Sequence, residues 1–97
     1  MAKTKTRTYD VADRLRTPEE MALYLDACIE ESGGDAAFIA KALGDIARAQ
    51  GMTRVAAGAG LSRESLYKSL SGERAPDFAT VLKVMKSLGL KLHTGVA

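Results

Sequence analysis

The stretch that most constrains this chain is residues 52 to 76, MTRVAAGAGLSRESLYKSLSGERAP, where a short segment rich in small residues runs through Gly60-Leu61 into a segment opened by Ser62. Two helices joined across so short a turn need a small residue where they approach, a residue free to adopt the turn, and apolar side chains to fill the gap between them. Ala56, Gly60, Leu61 and Leu66 supply these at compatible spacings, and Ser62 is placed to cap the second helix. The pattern predicts a helix-turn-helix over about residues 53 to 70.

At about 100° per residue, Leu66 and Leu70 fall on one side of the second helix and Glu64 and Lys68 on the other, flanked by Ser65 and Tyr67. An outward polar face of this kind fits a DNA major groove. Arg63, in the first turn, is read as reaching a guanine edge or a phosphate, and the free N–H groups at Ser62 favour an anion. Arg54, Arg74 and Lys83 are read as backbone contacts. The core set for duplex binding is Arg54, Ser62, Arg63, Glu64, Ser65, Tyr67, Lys68 and Arg74. Plainer readings stand beside it. Glu64 and Lys68 have the spacing of a surface ion pair worth about 0.3 to 0.5 kcal/mol. Tyr67 can be a ring packed on Leu70, Ser62 a helix cap alone, and the arginines solvated charges.

Around this segment the chain reads as helices. Thr17-Pro18-Glu19-Glu20 combines an N-cap threonine, a proline at the first helical position and a glutamate spaced for a capping box. Met21, Leu25, Cys28 and Ile29 then recur at helical spacing until Gly33-Gly34. Asp35 caps a second helix with Ile39, Ala42, Leu43 and Ile46 on one stripe, ending at Gly51. Shorter helices follow: one capped by Thr53, one capped by Ser62, and one from Asp77 to Leu88 with Phe78, Val81, Leu82, Met85 and Leu88 inward. Leu90-Lys91-Leu92-His93 alternates like a short edge strand. Residues 1 to 9, MAKTKTRTY, offer little to bury and read as a mobile basic arm, leaving residues 10 to 97 as one all-α, five-helix domain with a short extended C-terminal tail.

Composition removes other classes. The chain has 97 residues, enough for one domain with a modest core. No apolar run is long enough to span a membrane, and the polar start lacks the apolar stretch of a secretory signal, so a cytoplasmic protein is expected. A single cysteine, Cys28, closes no intramolecular disulfide and reads as core. With one histidine, His93, it provides no metal cluster, and no cofactor is expected. Gly58-Ala59-Gly60 lacks the glycine-lysine-serine ending of a phosphate loop. No acid, base and nucleophile set is recognisable, so an enzyme is not expected.

The net charge of +2 conceals a partition: residues 1 to 16 carry +3, residues 17 to 50 carry −5 and residues 51 to 97 carry +4. A cationic C-terminal half suits a polyanion, and an anionic middle suits a basic partner. Glu19, Glu20, Asp26, Glu30, Glu31 and Asp45 are the candidate contacts to that second partner. The plainer reading is that these acids solvate exposed faces.

Arg48-Ala49-Gln50-Gly51-Met52, Gly60-Leu61-Ser62-Arg63-Glu64-Ser65-Leu66-Tyr67-Lys68 and Leu88-Gly89-Leu90-Lys91-Leu92, with Tyr9-Asp10 and Met21-Ala22-Leu23-Tyr24-Leu25, carry a resemblance. The chain resembles HigA-like addiction-module antidotes, within the lambda-repressor-like (Xre-type) helix-turn-helix proteins. The resemblance implies a type II antitoxin that inhibits a RelE/ParE-type ribonuclease toxin from the adjacent gene and represses its own operon through operator DNA. Ser62, Arg63, Glu64, Tyr67 and Lys68 fall on the groove-facing helix. Ser69 and Leu70 depart from the pattern, which often has a bulky apolar residue and a glutamate there. A homodimer is expected, because one recognition helix reads only a few base pairs. The alternative is a stand-alone Xre-type repressor without a toxin partner.

Overall fold

The computed structural model describes residues 15–97. The arm expected at residues 1 to 9 and the Tyr9-Asp10 start lie outside the described residues. Five helices follow: α1 (Pro18–Ser32), α2 (Ala36–Gln50), α3 (Met52–Ala59), α4 (Arg63–Ser69) and α5 (Phe78–Ser87), with no strand among the described residues. No described helix is long and apolar enough to cross a membrane.

The first two helices form at the expected ends. The Thr17 hydroxyl accepts from the Glu20 N–H at 3.1 Å while Glu20 Oε1 accepts from the Thr17 N–H at 3.1 Å, completing the capping box. Asp35 Oδ1 accepts from the N–H groups of Ala37 and Phe38 at 2.9 and 3.2 Å. Between α2 and α3 only Gly51 intervenes, at φ +103°, serving both helix ends. This corrects the expected cap: α3 has no side-chain cap, and Thr53 lies inside its first turn.

Side chains of all five helices meet in one core, in which Leu15, Leu43, Ile46, Leu66 and Val84 are essentially inaccessible. Two helical glycines let backbones approach closely. A Cβ on Gly44 would lie 2.9 Å from the Leu70 carbonyl oxygen, and one on Gly58 would overlap the Ser87 hydroxyl. That hydroxyl donates to the Val55 carbonyl at 3.0 Å, on the side of α5 where Val84 and Leu88 are buried in the core. Of the inward face expected for α5, Met85 and Leu88 are buried and Val81 packs against the core, whereas Phe78 and Leu82 are 65% and 38% exposed and Val84 takes an inward place instead. Ile29, expected in the α1 stripe, is likewise exposed.

The alternating tail forms no strand among the described residues. Its first residue closes α5 instead: the Leu90 N–H donates to the Met85 carbonyl at 2.8 Å and the Gly89 N–H to Lys86 at 3.1 Å, with Gly89 at φ +81°. Backbone committed to a helix cap is not available to begin a ladder.

Candidate nucleic-acid interface

The turn between α3 and α4 is built as its residue types require. Gly60, at φ +70°, allows its own N–H to reach the Ala57 carbonyl at 3.2 Å and the Leu61 N–H to reach Ala56 at 2.9 Å. Ala56 is buried at the crossing and Leu61 packs half-buried against the core. Ser62 then caps α4, its Oγ accepting from the Ser65 N–H at 3.0 Å and lying 2.9 Å from the Ser65 hydroxyl. Leu66 and Leu70 point inward, and this fixes the rotation of α4.

Arg63, Glu64, Ser65, Tyr67 and Lys68 of α4 are all exposed, beside Ser62; Glu64 and Lys68 lie opposite Leu66 and Leu70, while Arg63 and Tyr67, one turn apart, border that buried stripe. Glu64 and Lys68 form no ion pair with each other. Tyr67, 41% exposed, engages Arg63. The Arg63 guanidinium sits 5.6 Å from the Tyr67 ring centroid, donates from Nη2 to the Tyr67 hydroxyl at 3.4 Å, and donates from Nη1 to Thr53 Oγ1 on α3 at 3.3 Å. Thr53 thus belongs to this surface, which sequence reasoning missed by assigning it to a cap. Arg54 and Arg74 stand apart from the cluster in two separate clefts, Arg54 with Gln50, Gly58 and Ser87, and Arg74 with Ser69, Pro76 and Thr80. Lys83 is exposed on α5.

The six acids of the hairpin divide into two kinds. Glu20 Oε1 is held by the N–H groups of Arg16 and Thr17 at 3.0 and 3.1 Å. Asp45 accepts from the Tyr24 hydroxyl at 2.9 Å and pairs with Arg48. Glu19, Asp26, Glu30 and Glu31 are exposed and have no hydrogen-bond or ion-pair partner among the described residues. At 100° per residue Glu19, Asp26 and Glu30 share one stripe of α1. It borders a shallow groove lined by Leu25, Ile29, Met85, Leu90 and Leu92. Burial, then the Asp45 carboxylate, push the Tyr24 hydroxyl far above the ordinary tyrosine range. Burial also raises the Cys28 thiol, which lies in the core. Among the described residues no three His, Cys, Asp or Glu side chains are grouped to hold a metal ion.

Together these features define a small helical protein, with five helices among the described residues, a polar, arginine-bearing helix face and an acidic helical hairpin. Residues 5–96 match the family model described as probable addiction module antidote protein, and the chain belongs to that family. It is also 51% identical over 87 residues to an uncharacterised protein of Haemophilus influenzae, covering 90% of this chain and 88% of that one. No solved structure matches. Membership of an antidote family implies a regulatory, antitoxin role and a toxin as partner.

Proposed function

We propose that this chain is the antitoxin of a type II module that binds its operator as a homodimer and neutralises a RelE/ParE-type ribonuclease toxin from the adjacent gene. In this reading α3 and α4 are the helix-turn-helix of a lambda-repressor-like domain. The observation that carries it is the exposed polar side of α4, with Glu64 and Lys68 at its centre and Arg63 and Tyr67 at its edge, held outward because Leu66 and Leu70 are buried beneath it. A helix so oriented presents Ser62, Arg63, Glu64, Ser65, Tyr67 and Lys68 to a groove, with Arg54 and Arg74 as flanking phosphate contacts.

The toxin takes the other charged surface. Glu19, Asp26, Glu30 and Glu31 suit a basic partner, and the apolar groove beside their stripe offers an anchor at its edge. Glu20 and Asp45 contribute field there while serving their internal contacts. Family membership supports the antitoxin over a stand-alone repressor. The direct experiment is duplex binding at several salt concentrations: a steep loss of affinity with salt is expected for wild type. Arg63→Ala should cost roughly 1 to 3 kcal/mol on the operator. An unchanged affinity removes Arg63 from the interface. Copurification with the product of the adjacent gene tests the toxin assignment.

A further inference from the structure

Arg63 is the α4 side chain that hydrogen-bonds back to a side chain of α3. Its Nη1 donates to Thr53 Oγ1 at 3.3 Å, its Nη2 to the Tyr67 hydroxyl at 3.4 Å, and its guanidinium carbon lies 5.6 Å from the Tyr67 ring centroid. A guanidinium has five N–H donors, so these two contacts leave three for a ligand. A solvated arginine samples many rotamers, and ordering it on a ligand costs conformational entropy. Contacts at both Nη atoms reduce that cost and restrict the directions in which the remaining donors point. Thr53 stands one residue inside α3, where a cap is supplied by Gly51, so its hydroxyl is not consumed by the helix end.

We infer that Thr53 and Tyr67 are positioning residues that hold the Arg63 guanidinium for sequence discrimination, so that base preference depends on two hydroxyls on two different helices. The inference rests on the proposal that α4 faces duplex DNA. It differs from a contact list in its logic: Thr53 and Tyr67 act through Arg63, and their contribution vanishes when Arg63 is gone.

The test is a double-mutant cycle read as base preference. The full chain is used to select duplexes from a random-core library, and every position at which wild type shows a preference is scored, with and without Arg63→Ala. Thr53→Val keeps the β-branched shape and Tyr67→Phe keeps the ring, so each removes one hydroxyl from an exposed site. Each should weaken discrimination at those positions roughly two- to tenfold, the worth of one hydrogen bond, with thermal unfolding unchanged. In the Arg63→Ala background neither should have any further effect. Equal losses with and without Arg63 would overturn the inference, because the hydroxyls would then touch DNA themselves. Unchanged discrimination in the Thr53→Val, Tyr67→Phe double variant would overturn it as well. If wild type binds no duplex at any salt concentration tested, the DNA reading has failed and the inference falls with it.

Discussion

The α1–α2 hairpin and the α3–α5 segment are built on different principles. Each hairpin helix has 15 residues and a side-chain N-cap, whereas α3, α4 and α5 have 8, 7 and 10, and only α4 has such a cap. Helices shorter than about 12 to 15 residues are marginal alone, so the short ones depend on what they pack against. The hairpin derives more of its order from local signals. The surface proposed for DNA is therefore supported by long-range packing, and the acidic surface by helices with strong ends of their own.

Core truncation should break this comparison most visibly. Leu66 lies under the α4 face with no accessible surface, and Leu66→Ala should cost about 2 to 5 kcal/mol in urea unfolding. Amide exchange should accelerate first in α3 and α4. Uniform acceleration across all five helices would mean that the two regions unfold as one unit.

Gly58 gives the next effect. Alanine gains about 1 kcal/mol over glycine in a helix, but overpacking against Ser87 costs about 1 to 3 kcal/mol. Gly58→Ala should thus be destabilising in wild type and less so beside Ser87→Ala, which removes the colliding hydroxyl. Equal costs in both backgrounds would show that the α3–α5 approach is not what requires the glycine.

The hairpin side is tested by Thr17→Ala, expected to cost about 1 kcal/mol, with the change confined to the start of α1. A global loss of protection would deny the hairpin its local character.

A smaller effect separates by pH. Tyr24→Phe removes one hydrogen bond to Asp45, worth about 0.5 to 1.5 kcal/mol. Unfolded tyrosine loses its proton at about pH 10, whereas the folded hydroxyl holds it to higher pH. Above about pH 10 the unfolded state binds fewer protons, so wild-type stability falls as pH rises. The variant should lose most of that slope, and the remainder belongs to Cys28, whose raised thiol acts with the same sign. An unaltered slope would place the alkaline loss elsewhere.

The same contrast explains what could be read from the chain. Thr17, Glu20, Asp35, Gly60 and Ser62 were legible because caps and turns are decided within three or four residues. The inward side of α5 was not. Phe78, Val81, Leu82, Val84, Met85 and Leu88 cover too much of the helix for periodicity to choose, and the choice lies in long-range packing, of which the Ser87 contacts to Val55 and Gly58 are a part. Thr53 looked like a cap because a threonine before a helix usually is one, and Gly51 had already taken that place. The outward place of Glu64 and Lys68 on α4 followed from Leu66 and Leu70 alone. The bond from Arg63 to Thr53 spans ten residues and two helices, and no local pattern announces it. Among the acids, the capping role of Glu20 was visible in sequence, while the Tyr24 contact to Asp45 was not.

The central claim is that the two regions serve two partners independently, and one paired binding measurement tests it most directly. Arg63→Ala and the neutralised stripe Glu19→Gln, Asp26→Asn, Glu30→Gln are each titrated against the proposed operator duplex and against the proposed toxin partner. The account predicts a crossed result: Arg63→Ala weakens duplex binding and leaves toxin binding intact, while the stripe variant slows toxin association and leaves duplex binding nearly unchanged. Loss of toxin binding in Arg63→Ala, or of duplex binding in the stripe variant, would contradict it.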